Sequence, residues 1–209
     1  MKASGIFRNV TPAAKLALVN NQLGNPALKM NQGSSYEIYD YVDVTSTIGT
    51  KQTIRFFDSV NTKTFPFTNI QQNQLQVGEA LGIEYVAFTR AAYVKDKEDP
   101  TKSSLCTQTA LVGVTGLCLS QFSFLLDNSR ILKNNSLTRT NSLFNPQGGT
   151  GTNNLFYPDT TLVIPPQISF TAELTTPENC DVVAADEAKV YYGIHIFGSA
   201  AILNLKSNV

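Results

Sequence analysis

The sequence predicts an all-β protein, an antiparallel β-sandwich, on three observations. Runs rich in β-branched and aromatic residues recur at short intervals from residue 36 onward. Only one segment, near the N-terminus, has a helical pattern, so strands do not alternate with helices as they do in βαβ proteins. The sequence has no internal repeat, which argues against a propeller or a solenoid.

The pattern divides the chain of 209 residues into an N-terminal arm, 1–35, and one sandwich domain, 36–209. In the arm, Thr11 as N-cap and Pro12 at the first helical position predict a short helix over 11–19. Polar residues and turn formers follow it. The alternative is that this helix packs on the same domain.

Strands are predicted wherever apolar alternation is bounded by turn residues. They cover 36–44, 51–57, 82–95, 111–119, 121–126, 129–132, 161–164, 167–174 and 189–203, with a bent or edge strand at 65–67 because Pro66 cannot donate to a ladder. About eight or nine strands in one domain of this size fit a single jelly roll, which stacks two sheets.

Period-two alternation assigns a face to each side chain in the longest strands. One face of the last strand is expected to carry Val190, Tyr192, Ile194 and Ile196. One face of 167–174 is expected to carry Ile168, Phe170, Ala172 and Leu174. In 82–95 the alternation places Ile83, Tyr85 and Ala87 on one face, with Val86 and Phe88 on the other.

The charge pattern argues against a nucleic-acid partner. Lys plus Arg equals Asp plus Glu, so the formal net charge is zero, whereas proteins that bind nucleic acid usually carry a basic excess. Charged residues make up only 15% of the chain, which suits surfaces that are buried against neighbouring molecules. Low net charge also favours self-association.

Cysteine usage indicates a reducing compartment. The three cysteines, Cys106, Cys118 and Cys180, are odd in number and widely spaced, which does not describe a disulfide framework. Buried free thiols are expected, with a Cys106–Cys118 pair across neighbouring strands as the alternative. The sequence has no signal-peptide pattern and no apolar run near the ~20 residues of a membrane span. We therefore expect a soluble protein made in a cytoplasm.

No catalytic, cofactor-binding or metal-binding residue is predicted. His195 is the single histidine, lies between two isoleucines and has no ligand or triad partner near it in sequence, so it is expected to be a structural residue on a sheet face. Gly148, Gly149 and Gly151 lack the Lys-Ser/Thr of a phosphate-binding loop, so they predict only a flexible loop.

Three further groups of residues are candidates for a site. Asp181, Asp186 and Glu187 are acidic, but their spacing fits no calcium loop. Arg55 beside Phe56 and Phe57 is the nearest approach to a platform for single-stranded nucleic acid, although a core strand is the simpler reading. The five clustered tyrosines, which core and cross-strand packing would explain more simply than sugar binding, are Tyr36, Tyr39, Tyr41, Tyr191 and Tyr192.

Several stretches together resemble virion structural proteins of bacteriophages, including small jelly-roll capsid proteins of phages that infect Bacteroidetes. The stretches are 65–70 (FPFTNI), 75–81 (LQVGEAL), 124–133 (FLLDNSRILK), 163–170 (VIPPQISF) and 192–198 (YGIHIFG). They are turn and strand signatures, and the resemblance covers roughly 50–205, leaving out the arm.

This resemblance implies a capsid protein that assembles with itself and with other virion proteins in a symmetric shell. It implies a virion location after synthesis in the host cytoplasm, and it transfers no active-site residues, cofactor or small-molecule substrate. The rival hypothesis is a receptor- or carbohydrate-binding module that uses loops 95–104 and 134–154. An enzyme is the weakest hypothesis, because no acid, base and orienting residue are grouped in the sequence.

Overall fold

The computed structural model describes residues 31–99, 101–110, 119–127, 129–137, 155–158 and 162–203. Within them, two antiparallel sheets pack face to face, which confirms the predicted all-β sandwich. The strands are β1 (Asn31–Asp43), β2 (Gln52–Phe56), β3 (Glu79–Lys95), β4 (Ser103–Ala110), β5 (Gln121–Leu126), β6 (Ser129–Ser136), β7 (Leu155–Phe156), β8 (Leu162–Ile164), β9 (Phe170–Thr176) and β10 (Glu187–Leu203). The predicted helix at 11–19 lies outside the described residues.

The first sheet is built on its two longest strands. β3 and β10 have 17 residues each and pair along almost their whole length, and β1 pairs with the other side of β10. The second side of β3 is shared, since Thr89 to Lys95 pair with β4 while Leu81 to Ala87 pair with β8 and β7. The three long strands β1, β10 and β3 lie side by side and make this sheet a continuous, extended surface.

The second sheet has the order β2–β9–β5–β6. Taken in chain order, the strand pairs of the two sheets are nested. In the first sheet β1 pairs with β10 and β3 with β8, and in the second sheet β2 pairs with β9 and β5 with β6. One long antiparallel hairpin folded over on itself would give this pairing, with β4 as an added strand. The finer prediction of a single jelly roll stays a prediction.

Phenylalanine rings from both sheets fill the space between them. Phe88 of the first sheet contacts Phe56 and Phe122 of the second at ring-centroid distances of 6.3 and 5.1 Å. Phe122 in turn meets Phe156 edge to face at 4.7 Å. Since aromatic pairs contribute about 0.5–1.5 kcal/mol beyond the area they bury, these contacts strengthen the packing of one sheet on the other.

The predicted faces are confirmed with two exceptions. Val190, Tyr192, Ile194 and Ile196 of β10 and Phe170, Ala172 and Leu174 of β9 are all buried in the core. Ile168 lies outside β9 and is exposed, because the strand begins only at Phe170. Ile83 faces the core instead of sharing the face of Tyr85, because a register shift opposite Gly198 leaves Glu84 as an extra residue.

Several predicted strand boundaries are wrong. Residues 65–67 form no strand; they lie in a turn with a cis Phe65–Pro66 peptide. β1 begins at Asn31, within the predicted arm, and β6 runs on to Ser136. β4 was not predicted at all, since Ser103 to Ala110 show weak apolar alternation. The predicted strand at 111–119 lies almost wholly outside the described residues.

Candidate interaction surface

His195 lies on the outer face of the first sheet, the face that is turned away from the core. Its Nδ1 lies 2.6 Å from Glu37 Oε1, and its Nε2 lies 2.8 Å from the Tyr41 hydroxyl. Because an ionised carboxylate only accepts, Nδ1–H donates to Glu37, and Nε2 shares the second hydrogen bond with the Tyr41 hydroxyl. Thr89 Oγ1 donates to the same tyrosine hydroxyl at 3.3 Å. His195 thus lies on a sheet face, as predicted, and its structural role stays a prediction.

Four rings form a column of nearly parallel rings across β1, β10 and β3. His195 stacks between Tyr39, at 5.4 Å and 28°, and Phe197, at 6.1 Å and 12°. Phe197 stacks on Tyr85 at 4.6 Å and 23°. The column therefore joins side chains of β1, β10 and β3 on one face of the sheet.

A second group of rings continues the same face toward the end of β3. Phe67 stacks on Tyr191 at 4.7 Å, and Tyr93 meets Tyr191 edge to face at 5.9 Å. Tyr41 and Tyr191 are only 5% and 8% exposed. We call the set the aromatic face; it comprises Tyr39, Tyr41, Phe67, Tyr85, Tyr93, Tyr191, His195 and Phe197.

A glycine in β10 allows Tyr41 to lie flat on the sheet. A Cβ atom on Gly193 would lie 2.4 Å from Tyr41 Cε1 and 2.7 Å from Thr89 Oγ1. Gly193 pairs with Tyr41 on one side and with Thr89 on the other. The missing side chain therefore keeps the middle of the aromatic face low and level.

Burial shifts the pKa of three phenols of the aromatic face upward. It raises the pKa of Tyr39, with Glu37 adding to the shift, and it raises the pKa of Tyr191, with Asp43 and Tyr93 adding to it. The pKa of Tyr85 is raised by burial and then by Tyr157. Hydroxyl groups that stay protonated can donate as well as accept hydrogen bonds at a contact.

The outer face of the second sheet is different in chemistry. Glu173 forms ion pairs with Arg130 at 2.9 Å and with Arg55 at 3.5 Å, and Thr53 shares a hydrogen bond with Thr175. Phe56 and Phe57, the neighbours of Arg55, are fully buried. The Arg55 segment is therefore a core strand with a solvated arginine, as the simpler interpretation held.

The edge of β1 is closed by the segment that follows the cis proline. Tyr41 N–H donates to Phe67 O at 2.8 Å. The side-chain amide of Asn69 imitates a further strand residue, since Oδ1 accepts from Tyr39 N–H at 2.9 Å and Nδ2 donates to Glu37 O at 2.7 Å. Covering an edge strand in this way blocks the pairing of a further strand there.

The acidic candidates are used inside the molecule. Arg90 Nε donates to Asp181 Oδ2 at 2.8 Å, and both Nη atoms donate to the carboxylate of Glu187. The Tyr192 hydroxyl also donates to Asp181 Oδ2 at 2.8 Å. Across the parts of the chain that the structure describes, no three His, Cys, Asp or Glu residues are grouped to hold a metal ion. Asp186 is exposed and stands apart from this network.

Arg90 was missed in sequence because its partners lie 91 and 97 residues away. The hydrogen bond from Arg90 lowers the pKa of Glu187. The same hydrogen bond, together with the one to Asp181, raises the pKa of Arg90. Burial raises the pKa of Tyr192 and, nearby, that of Cys180. Cys180 is a free buried thiol, as predicted. Cys106 lies on β4 with no described side chain, and Cys118 lies outside the described residues.

Of the two loops expected to serve a binding module, the structure describes most of the first and little of the second. The segment between β3 and β4 is a solvated hairpin loop that Asp99 closes by accepting from Thr101 N–H and pairing with Lys102. Most of 134–154, including the three glycines of the loop, lies outside the described residues. Phe65, on the cis-proline turn, is the most exposed large apolar side chain described, at 84%.

Comparisons with known proteins add no identity: no family model, curated protein or solved structure matches this chain. Among the residues whose structure is described, no helix has the length and apolar character needed to cross a membrane.

Proposed function

We propose that this protein is a structural capsid protein of a bacteriophage, which assembles with copies of itself into the capsomers of a virion shell. The observation that carries the proposal is a sandwich whose two outer faces differ in kind. One face holds eight clustered aromatic and histidine rings, and the other is polar and ion-paired. A subunit of a shell needs such a difference, because one surface meets neighbours while another meets solvent.

The strand pairing supports a jelly roll as the fold of this subunit. In a jelly roll, a long hairpin is rolled so that the first strand pairs with the last and each inner strand pairs with its counterpart. The nested pairs β1–β10, β2–β9, β3–β8 and β5–β6 follow that scheme. The β3–β4 hairpin is then an insertion that widens the first sheet.

The low charge of the chain supports assembly as well. With a net charge of zero, copies do not repel one another strongly at neutral pH. The proposed partners are therefore further copies and other virion proteins, and the proposed location is the virion after synthesis in the host cytoplasm. No cofactor, enzymatic step, specific nucleic acid or small-molecule substrate is part of the proposal.

The carbohydrate-binding alternative requires rings whose flat faces are open to a sugar. In the column, Tyr39, His195, Phe197 and Tyr85 lie nearly parallel and contact one another, at interplanar angles of 28°, 12° and 23°. Rings that contact neighbouring rings leave less of their surface for stacking on a sugar. A glycan array probed with the purified protein separates the two functions, since the capsid function predicts no saturable binding.

Electron microscopy of the full-length protein, expressed without other virion components, tests the proposal. We expect rings, capsomers or closed shells of uniform size, because identical subunits close by point-group symmetry. Single particles of monomer size at all concentrations, together with saturable glycan binding, would contradict the capsid function.

A further inference from the structure

We propose that residues 1–30 dock on the outer face of the first sheet of their own chain, at the end where β1 begins. The docking surface is a group of mostly small residues on β3, β8 and β10, beyond the aromatic face. We call it the alanine patch; it comprises Ala80, Gly82, Val163, Ser199 and Ala201. The inference does not depend on the proposed function, because the contact lies within one molecule.

The two alanines of the patch are covered. Ala80 and Ala201 pair with each other in register, and the residues beside them in the chain, Leu81 and Ala200, face the core. Their own side chains therefore point outward. Both alanines are nevertheless fully buried, and the described apolar side chain that packs against them is the half-buried Val163. One valine on a neighbouring strand does not shield two alanines completely from water, so a further part of the chain must lie over them.

The segment that precedes β1 ends beside the patch. Asn31 pairs with Leu203 and Gly33 pairs with Ala201, so the chain enters the sheet two residues away from the patch. At the usual strand spacing, Ala80 lies about 10 Å from Gly33, two strands away. Thirty residues precede Asn31, and one extended residue spans about 3.3 Å. The segment is therefore long enough to turn back and cross the patch.

The composition of residues 1–30 suits an apolar surface of small side chains. The helix predicted at 11–19 carries a single charged residue, Lys15, among alanine, leucine and valine. Alanine and glycine on the sheet leave room for another segment to approach the backbone closely. The turn formers Gly24, Asn25 and Pro26 favour a reversal of the chain before β1. Such a reversal directs the predicted helix back over the sheet.

Charge points to the same occupant. Residues 1–30 carry four basic side chains and no acidic one. Because the whole chain is neutral, the remainder carries four more acidic than basic side chains. Glu84 accepts a hydrogen bond from Ser199 Oγ at 2.6 Å at the margin of the patch, and Glu37 lies on the same outer face on β1. A basic segment is attracted to this acidic end of the sheet, whereas an identical acidic sheet is not.

Trypsin cleavage of the full-length protein tests the docking, because trypsin cleaves after lysine and arginine. Ala201→Gln places a longer side chain in the covered patch, and Thr53→Gln is the matched change on the exposed outer face of the second sheet. We expect cleavage within residues 1–30 to be about tenfold faster in Ala201→Gln than in wild type, and to change less than about twofold in Thr53→Gln. Circular dichroism shows whether both variants keep the fold. Equal cleavage rates in the three proteins would overturn the docking site.

A fluorescent reporter covers the case in which Ala201→Gln does not fold. The chain contains no Trp, so Leu16→Trp introduces a single fluorophore into the segment, with Thr53→Trp as the exposed control. We expect Leu16→Trp to emit at shorter wavelength than the control at every concentration, because the contact is intramolecular. Emission that matches the control would overturn the docking. Emission that moves to the wavelength of the control on dilution would assign the segment to a neighbouring copy and would equally overturn it.

Discussion

Arg90 shows how one residue ties a loop to a sheet in this molecule. It lies on β3, is mostly buried, and holds both Asp181 before β10 and Glu187 at its start. Val182 O accepts a further bond from Nη2 at 3.1 Å. The sequence could not predict this network, because acidic residues are common in loops and nothing local links them to an arginine on another strand.

Replacement of Arg90 by Met tests how much that network contributes to the free energy of unfolding. The two carboxylates would stay in a partly buried position without their cation, and we expect the free energy of unfolding to fall by about 3 kcal/mol. Urea denaturation monitored by circular dichroism measures it. Lys102→Met removes the cation of the exposed Asp99 pair and should leave the midpoint unchanged. Equal effects of the two variants would contradict the account.

Glu187 gives the network a pH dependence of known sign. Its pKa is lowered in the folded protein, mainly by the hydrogen bond from Arg90, so its stabilisation is present above its ordinary value of 4.5. That contribution is lost as pH falls through the lowered folded value. We expect Glu187→Gln to be less stable than wild type at pH 7 and the difference to shrink toward pH 3. A difference that grows on acidification, in urea titrations at several pH values, would contradict this.

At the scale of strands, the sequence predicts best where alternation is strong and long. β5 was placed correctly and β10 nearly so, because Val190 to Ile196 alternate without interruption. β4 was missed because its apolar pattern is weak and its pairing with β3 is a long-range contact. Residues 65–67 looked like a strand, but the turn at Pro66 serves to close the edge of β1 instead.

The bulge opposite Gly198 is the element-scale feature that alternation alone could not locate. A Cβ atom on Gly198 would lie 2.0 Å from Gly82 O, which is a backbone atom and cannot turn away. We expect Gly198→Ala to lower the free energy of unfolding by about 2 kcal/mol, through overpacking of the strand pair. Thermal unfolding of the variant and of the wild type checks this. A melting temperature as high as that of the wild type would show that the strands are not held this closely.

At the scale of the whole molecule, the sequence predicted the sandwich but not the difference between its outer faces. Tyr39, Tyr41 and Tyr191 were expected to pack in the core or across strands, and their place on an outer face depends on which side of each sheet meets the core. The nested order of strands arises from pairings between distant segments, such as β1 with β10. Local sequence patterns predict the individual strands, whereas the aromatic face forms only when distant strands assemble into a sheet.

Sedimentation velocity of the full-length wild-type protein over a concentration series tests the central claim, self-association, most directly. The account predicts a shift from a species of 22.8 kDa to dimers and larger assemblies as concentration rises. A single species of 22.8 kDa at every concentration would contradict it.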